Sequence, residues 1–309
     1  VTEAAKHTPV LTREVLELLD VQSGETVLDA TIGLGGHASL FAEAIGPAGT
    51  LVGLDVDPAN LAVAKERLSG FPCRVELIHA NFAECDDALA SVGIAGVDVL
   101  FADLGVSSTQ LDQAERGFSF RHDGPLDMRL DPRLKETAAD LVNRLKEREL
   151  GDLFYYNAQE LKSRRIARRI CEQRREGRIT TTAQLSRIVV SALRAEDSSR
   201  WTKIHPATRV FMALRMAVNS EIQRLEDLLQ KAPRMLKPGG RFGVIAFHSV
   251  EDKPVKLSFR DGKKDGIYRM VTKKPVIADQ EERSGNPRSR SAKLRVVVRF
   301  PQANDGLTA

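Results

Sequence analysis

Three apolar runs in the first third of the chain each end in an acidic residue, and no other feature limits the fold so tightly. Val27-Leu28-Asp29 opens into Ala30-Thr31-Ile32-Gly33-Leu34-Gly35-Gly36-His37, Leu51-Val52-Gly53-Leu54 closes on Asp55, and Val97-Asp98-Val99-Leu100-Phe101-Ala102 closes on Asp103. An apolar run that turns through an acid into glycines is a strand entering a helix where backbone must approach a ligand closely. Asp55, 22 residues after Gly33, stands where open α/β sheets set a carboxylate on ribose hydroxyls. Asp103 ends a strand on the same side of the sheet, facing the crevice where a substrate would meet a nucleotide-type cofactor.

The periodicity predicts a helix over residues 8–19, then strand 26–30, a glycine loop and a helix to about residue 45, strand 50–55, helix 58–68, strand 74–79, Asn81-Phe82, a helix near 84–91 and strand 97–103. Strands alternating with short helices build right-handed βαβ units and a parallel sheet. The rhythm then stops until an amphipathic helix over 207–231, Leu236-Lys237-Pro238-Gly239-Gly240 and a strand over 241–247. A gap of that length is too long for a loop, and its helical period and arginine content predict an inserted helical subdomain. A helix over 251–259 and strands over 267–272 and 294–300, read as a terminal antiparallel pair, complete the chain.

Charge is divided unevenly. Residues 1–112 carry 5 basic and 17 acidic side chains, whereas the remainder carries 41 and 25, within an overall net charge of +4. A basic surface beside a ligand pocket suits a polyanionic partner, since phosphate neutralisation releases counterions. Cys73, Cys85 and Cys171 include no C-x-x-C pair, which points away from a disulfide framework or a thiolate zinc site. No apolar run approaches the ~18 residues of a membrane span and no secretory leader is recognisable, so a cytoplasmic location is expected.

Glycines alone do not separate a methyltransferase from a dehydrogenase. Here an acid, Asp29, precedes the first glycine, Gly33, by four residues, in place of the G-x-G-x-x-G spacing that grips a pyrophosphate; such an acid suits a cofactor carrying an amino group. With Leu236-Lys237-Pro238-Gly239-Gly240 the pattern resembles the class I S-adenosylmethionine-dependent methyltransferases, departing from it at Thr31, where glycine is common. Longer segments narrow the likeness: His7-Thr8-Pro9-Val10-Leu11, Thr31 to His37, Asp103-Leu104-Gly105-Val106-Ser107-Ser108-Thr109-Gln110-Leu111-Asp112, Arg116-Gly117-Phe118-Ser119-Phe120, Gly124 to Arg129, His205 to Arg209, Phe247 to Asp252 and Asn286 to Arg295. Together they resemble the bacterial 16S ribosomal RNA (cytosine-N(4)) methyltransferases, the RsmH or MraW family, over almost the whole chain.

That resemblance implies an α/β fold, a Rossmann-like sheet of class I type, mostly parallel with a terminal antiparallel pair and an inserted helical subdomain. Residues 1–112 and 206–309 would form the methyltransferase domain, and 113–205 the substrate-recognition insertion. It implies S-adenosylmethionine as cofactor, S-adenosylhomocysteine as product, no metal, and as substrate a single cytidine of 16S rRNA in the decoding region of the small ribosomal subunit, with no membrane partner and a homodimer allowed. It assigns the cofactor to Gly35, Gly36 and His37, to Asp55 at the ribose, Phe82 beside the adenine, and Asp103 and Gln110 near the methionine end. On residue type alone, His37 equally suits a helix start, and Phe82 more often serves a core.

The chemistry would be in-line attack of an exocyclic amine on a sulfonium methyl. Cytosine's amine lone pair is delocalised into the ring, so a site must orient it and accept its N–H hydrogen bonds. Asp103 is the candidate catalytic residue, with a backbone carbonyl of residues 104–107 as the alternative. Amine-methylating DNA enzymes usually carry Asn/Asp-Pro-Pro-aromatic here, and this chain has Asp103-Leu104-Gly105-Val106. Carbon-5 methylation would need a cysteine near this strand end, and Pro72-Cys73 precedes strand three on the opposite side. His248-Ser249 with Glu251 and Asp252 lacks a Gly-x-Ser-x-Gly elbow and reads as pocket lining.

Two segments are candidates for RNA contact. Arg164, Arg165, Arg168, Arg169 and Arg175 share about 140° of a helical wheel, opposite Ile166, Ala167, Ile170 and Cys171; a merely solvated face is the alternative. Arg288 and Arg290 lie in a basic loop suited to phosphates. Phe118 and Phe120 suit either a splayed-out base or an anchor for the insertion. A DNA amino-methyltransferase and a noncatalytic RNA-binding assembly factor that keeps the fold are the rival readings.

Overall fold

The computed structural model describes residues 9–105, 110, 113–194 and 205–301; His7, Thr8, residues 106–109, Leu111 and Asp112 lie outside them. The chain divides into two compact units, residues 1–105 with 222–309 and residues 106–221. Its strands are β1 (Thr26–Asp29), β2 (Thr50–Asp55), β3 (Arg74–His79), β4 (Val97–Asp103), β5 (Leu236–Ala246), β6 (Tyr268–Met270) and β7 (Lys293–Arg299). The helices are α1 (Thr12–Leu19), α2 (Gly36–Ile45), α3 (Pro58–Leu68), α4 (Cys85–Ser91), α5 (Ala138–Arg144), α6 (Glu147–Ala158), α7 (Ser163–Gln173), α8 (Thr182–Arg194), α9 (Thr208–Val218), α10 (Glu221–Met235), α11 (Ser249–Lys264) and α12 (Gln280–Gly285).

In the first unit the sheet runs β3-β2-β1-β4-β5-β7-β6. The first five strands are parallel, and β7 lies antiparallel between β5 and β6. This is the mostly parallel sheet of the class I expectation. Strand alternation sorts the two layers. Leu28, Val52, Leu100 and Val244 join the core beneath α4, α10 and α11. Val27, Leu51, Val99, Phe101 and Ile245 join the core beneath α1, α2 and α3. Asp103, two residues after Phe101, therefore shares the α2 face. The Lys237-Pro238-Gly239-Gly240 turn is absorbed into β5 as an irregularity that shifts its register against β4, with Gly239 at φ 79°.

The second unit buries one apolar face from each of α5 to α9 around Phe154, Ile166, Ile170, Val189, Phe211 and Leu214. Helix α9 belongs here by its buried Val210, Phe211, Ala213 and Leu214, so this unit reaches past residue 205 to Glu221. The helix expected over 207–231 is two helices. Asn219 breaks it by donating from Nδ2 to the carbonyls of Met128 and Arg215, both at 2.8 Å, and accepting the Leu130 N–H at 2.8 Å; Ser220 then takes φ 50°. Sequence periodicity could not reveal that partner, since Met128 and Leu130 lie about 90 residues away.

Candidate active site

β1 sits between β2 and β4, with Asp29 in register with Gly53 and Phe101. Asp55 and Asp103 are each two residues further along, so they stand about 7 Å beyond Asp29 at the carboxyl edge. Asp29 is accordingly the deepest, 1% exposed, accepting the Thr31 N–H at 3.1 Å. Burial pushes its carboxyl up to about 8, and the charges of Asp103 and Asp55 add to the rise.

The glycine loop between β1 and α2 is built by left-handed backbone, Gly33 at φ 52° and Gly35 at φ 79°, which a residue without Cβ adopts freely. Gly35 is the N-cap of α2, so the loop and the positive end of the helix lie together. Asp55 holds this loop in place: its Oδ2 accepts the Gly33 N–H at 3.0 Å and an Asn60 Nδ2–H at 3.3 Å, and its Oδ1 accepts the Asp57 N–H at 2.8 Å. A carboxylate offers about four lone-pair sites, leaving room for one further donor. Burial lifts its carboxyl to about 6 against the lowering effect of those hydrogen bonds. Phe82 is close by on the next strand end. It opens a short 3-10 turn after β3 whose Asn81 and Glu84 form a reciprocal cap, and β3 pairs His79 with Asp55.

Thr31 and His37 flank Asp103. Its backbone N–H donates to Thr31 Oγ1 at 2.6 Å, giving the residue that departs from the glycine pattern a duty. Its Oδ2 lies 3.6 Å from His37 Nδ1, an electrostatic contact longer than a hydrogen bond. His37 itself is 5% exposed, stacks at a tilt on Phe101 with centroids 4.8 Å apart, and bonds through Nε2 to the Val10 carbonyl at 2.8 Å. Because a carbonyl only accepts, Nε2 carries the proton and Nδ1 is the atom turned to Asp103. The Asp103 Oδ1 is buried with no hydrogen-bond partner among the described residues. Burial pushes its carboxyl up to about 7, with Arg288 opposing the rise and Glu251 adding to it.

Arg288 is the member of this cluster that sequence reasoning assigned elsewhere. It lies in the turn Pro287–Ser291, directly before β7, whose Leu294 pairs with Ile245, which in turn pairs with Asp103. The guanidinium is half-buried and its pKa is lowered by that burial against the opposing pull of Asp103. Arg290, by contrast, is exposed and donates to the Arg283 carbonyl at 3.1 Å. Glu251 caps the start of α11, its Oε2 accepting the N–H groups of Phe247 and His248 at 3.0 and 3.1 Å. Asp252 takes Arg295 in a two-pronged pair at 2.7 and 3.0 Å. These two acids build the rim of the site.

Gln110 is buried and belongs to the second unit. On α7 Arg164 and Arg168 are exposed and Arg169 half-buried, opposite buried Ile166, Ala167, Ile170 and Cys171, while Arg175 falls past the end of the helix. Acids occupy much of it: Arg164 bonds Asp152 at 2.5 Å, Arg168 lies 3.7 Å from Glu147, and Arg169 lies 3.2 Å from Glu172; Arg165 is half-buried. Phe118 is 6% exposed in the core of the second unit, and Phe120 stacks on His205 at 4.4 Å and meets Phe211 edge-on at 5.1 Å, so both anchor the insertion.

Crowded carboxylates and an unmet buried oxygen favour a ligand bringing positive charge and hydrogen-bond donors. S-adenosylmethionine, with its sulfonium and ammonium, fits that demand. No group of three or more metal-ligating side chains occurs among the described residues, and none of their helices is long and apolar enough to cross a membrane.

The model of the MraW methylase family matches residues 4–300. The Ribosomal RNA small subunit methyltransferase H of Acidobacterium capsulatum is 47% identical over 302 residues, covering 96% of this chain and 99% of its own length. That of Koribacter versatilis is 46% identical over 304 residues, covering 96% and 95%. Among solved structures, a putative rRNA-methylase from Clostridium thermocellum is similar over 94% of this chain and 95% of its own at 13% identity and a TM-score of 0.45, too distant a likeness to bear on function.

Proposed function

The chain belongs to the MraW methylase family, and from that we propose that it methylates the N(4) amine of a cytidine in the 16S rRNA of the small ribosomal subunit, acting in the cytoplasm with S-adenosylmethionine as donor. The observation that carries the reading at residue level is Asp103, with one carboxylate oxygen buried at the carboxyl edge of β4 and without a hydrogen-bond partner among the described residues. Bound S-adenosylmethionine supplies an electrophilic methyl on sulfur, transferred to nitrogen with S-adenosylhomocysteine as the product.

The protein's part is placement and proton handling. Gly33, Gly35 and Gly36 let backbone close on the cofactor, Asp55 offers its remaining lone pair to a ribose hydroxyl, and Phe82 borders the adenine. Asp103 accepts an N–H of the cytosine amine, which aims the nitrogen and raises electron density on it as the new bond forms. The nitrogen then sheds one proton, and a carboxylate near 7 is matched to receive it at neutral pH. The Thr31 hydroxyl fixes the Asp103 backbone, and the His37 ring packs beside its carboxyl group. The helical unit supplies further RNA contacts.

The test is methyl transfer from labelled S-adenosylmethionine to unmodified small subunits by wild type and Asp103→Asn, with duplex DNA as a parallel substrate. Label in rRNA that is lost in the variant supports the reading. Preferential transfer to DNA, or full activity in the variant, overturns it.

A further inference from the structure

The segment from Lys253 to Lys274 carries eight basic side chains, Lys253, Lys256, Arg260, Lys263, Lys264, Arg269, Lys273 and Lys274, against two acids, Asp261 and Asp265. The sequence's own RNA candidates did not include it. At 3.6 residues per turn, the five basic residues on α11 fall within about 100° of arc, and all five are exposed. The opposite face of the helix buries Glu251, Val255, Phe259 and Gly262. This stripe runs about 16 Å along the helix.

Its far end turns into β6, the edge strand, where Arg269 is also exposed. Lys273 and Lys274 follow where the chain returns to the carboxyl edge, bracketed by the Thr272 N–H to Val296 bond and the Val276–Leu294 bridge. Leu294 is linked through Ile245 to Asp103. With strands about 4.8 Å apart, these lysines lie about 14 Å across the sheet from the reacting centre. The near end of the stripe starts two residues after Glu251, which is close enough to Asp103 to act on its charge.

Pairing separates this surface from the arginine face of α7. Asp261 occupies Arg260 at 3.0 Å and Lys264 at 3.6 Å. Lys253, Lys256, Lys263, Arg269, Lys273 and Lys274 have no ion pair or side-chain hydrogen bond among the described residues. A cation already held by a carboxylate releases few counterions when phosphate arrives, whereas an unpaired one releases its full share.

We propose that the exposed basic side chains of α11, β6 and Lys273-Lys274 form a binding surface for the sugar-phosphate backbone of the RNA flanking the target cytidine. The inference rests on the rRNA reading above and deepens it by naming where the strand runs. Six of the eight basic side chains are lysines, whose point charges suit phosphates rather than base edges, so the surface supplies affinity and register while the site beside Asp103 supplies selection.

The test is the triple variant Lys256→Gln, Lys263→Gln, Lys273→Gln. Binding to naked 16S rRNA and to unmodified small subunits is measured from 50 mM to 400 mM salt, with S-adenosylmethionine affinity by calorimetry as the control for folding. Three lost phosphate contacts lower the salt slope by about 2, equivalent to about 100-fold weaker binding at 0.1 M salt with convergence near 1 M. The expected result is that loss, with a raised KM for RNA, unchanged kcat and unchanged cofactor affinity. Arg164→Gln, Arg168→Gln, Arg169→Gln on α7 changes the slope less. An unchanged slope in a triple variant that still binds cofactor overturns the surface, while wild-type methylation of rRNA in the same experiment keeps the parent reading intact. Weakened binding to assembled subunits alone, with naked rRNA bound normally, also overturns it, because the surface would then face ribosomal protein.

Discussion

Replacing Asp103 by asparagine separates what this carboxylate does for catalysis from what it costs the fold. Its carboxyl is raised from 3.8 to about 7, so the folded protein holds the proton more tightly than the unfolded chain. The stabilising contribution is complete below 3.8 and is lost as pH rises through 7. A shift of about three units corresponds to roughly 4 kcal/mol. Asparagine carries no charge to desolvate, but its amide protons bring an unmet hydrogen-bonding demand of about 1–3 kcal/mol. The Asp103→Asn protein without cofactor is therefore expected to be about 1–3 kcal/mol more stable than wild type at pH 8, an advantage that disappears by pH 5. Thermal melts across that range would show it as a rise of several degrees at pH 8 only. Activity moves the other way. About one Asp103 in ten is ionised at pH 6 and nine in ten at pH 8, so wild-type kcat/KM for the cofactor climbs nearly tenfold between those values. The variant loses that limb along with about 10²–10⁴ of its rate. A variant no more stable at pH 8 than wild type, together with a wild-type rate flat from pH 5.5 to 8, would refute the reasoning.

Arg288 pulls the Asp103 carboxyl down, so Arg288→Met should shift the acidic limb of the wild-type pH profile to higher pH; a limb that stays put would remove Arg288 from the site. Asp55→Asn presents an amide to backbone N–H groups of Gly33 and Asp57 that now donate to a carboxylate. Losing charge-assisted bonds of about 1.5–3 kcal/mol should weaken S-adenosylmethionine binding by about 10- to 150-fold in calorimetry. Arg295 is buried in its two-pronged contact with Asp252, and Arg295→Met should destabilise the protein by about 3 kcal/mol in urea by leaving that acid with only Lys293 at 4.0 Å.

The strand plan was legible because β1, β2 and β4 are apolar on alternate residues and end in acids, a pattern fixed by local sequence. The same locality placed Asp55 and Asp103 at one edge. What escaped depends on contacts distant in the chain. Nothing near Arg288 announces Asp103, 185 residues earlier, because β7 inserts antiparallel beside β5 and brings the preceding turn to the site. The helix predicted over 207–231 is broken by Asn219 reaching Met128 and Leu130. The wheel of α7 correctly sorted arginines from apolar residues, but the acids that hold those arginines include Glu147 and Asp152 on α6. Nor did the sequence show that His37 bonds Val10, a residue with no chemistry of its own, and lies beside Asp103.

The central claim, that this site methylates the exocyclic amine of cytidine in small-subunit rRNA, is tested most directly by nucleoside mass spectrometry. Unmodified small subunits are incubated with the purified protein and S-adenosylmethionine, and the 16S rRNA is digested and analysed. The account predicts N(4)-methylcytidine at about one residue per subunit with wild type and none with Asp103→Asn. Methyl appearing on another atom or another base, or no methylated nucleoside despite bound cofactor, would contradict it.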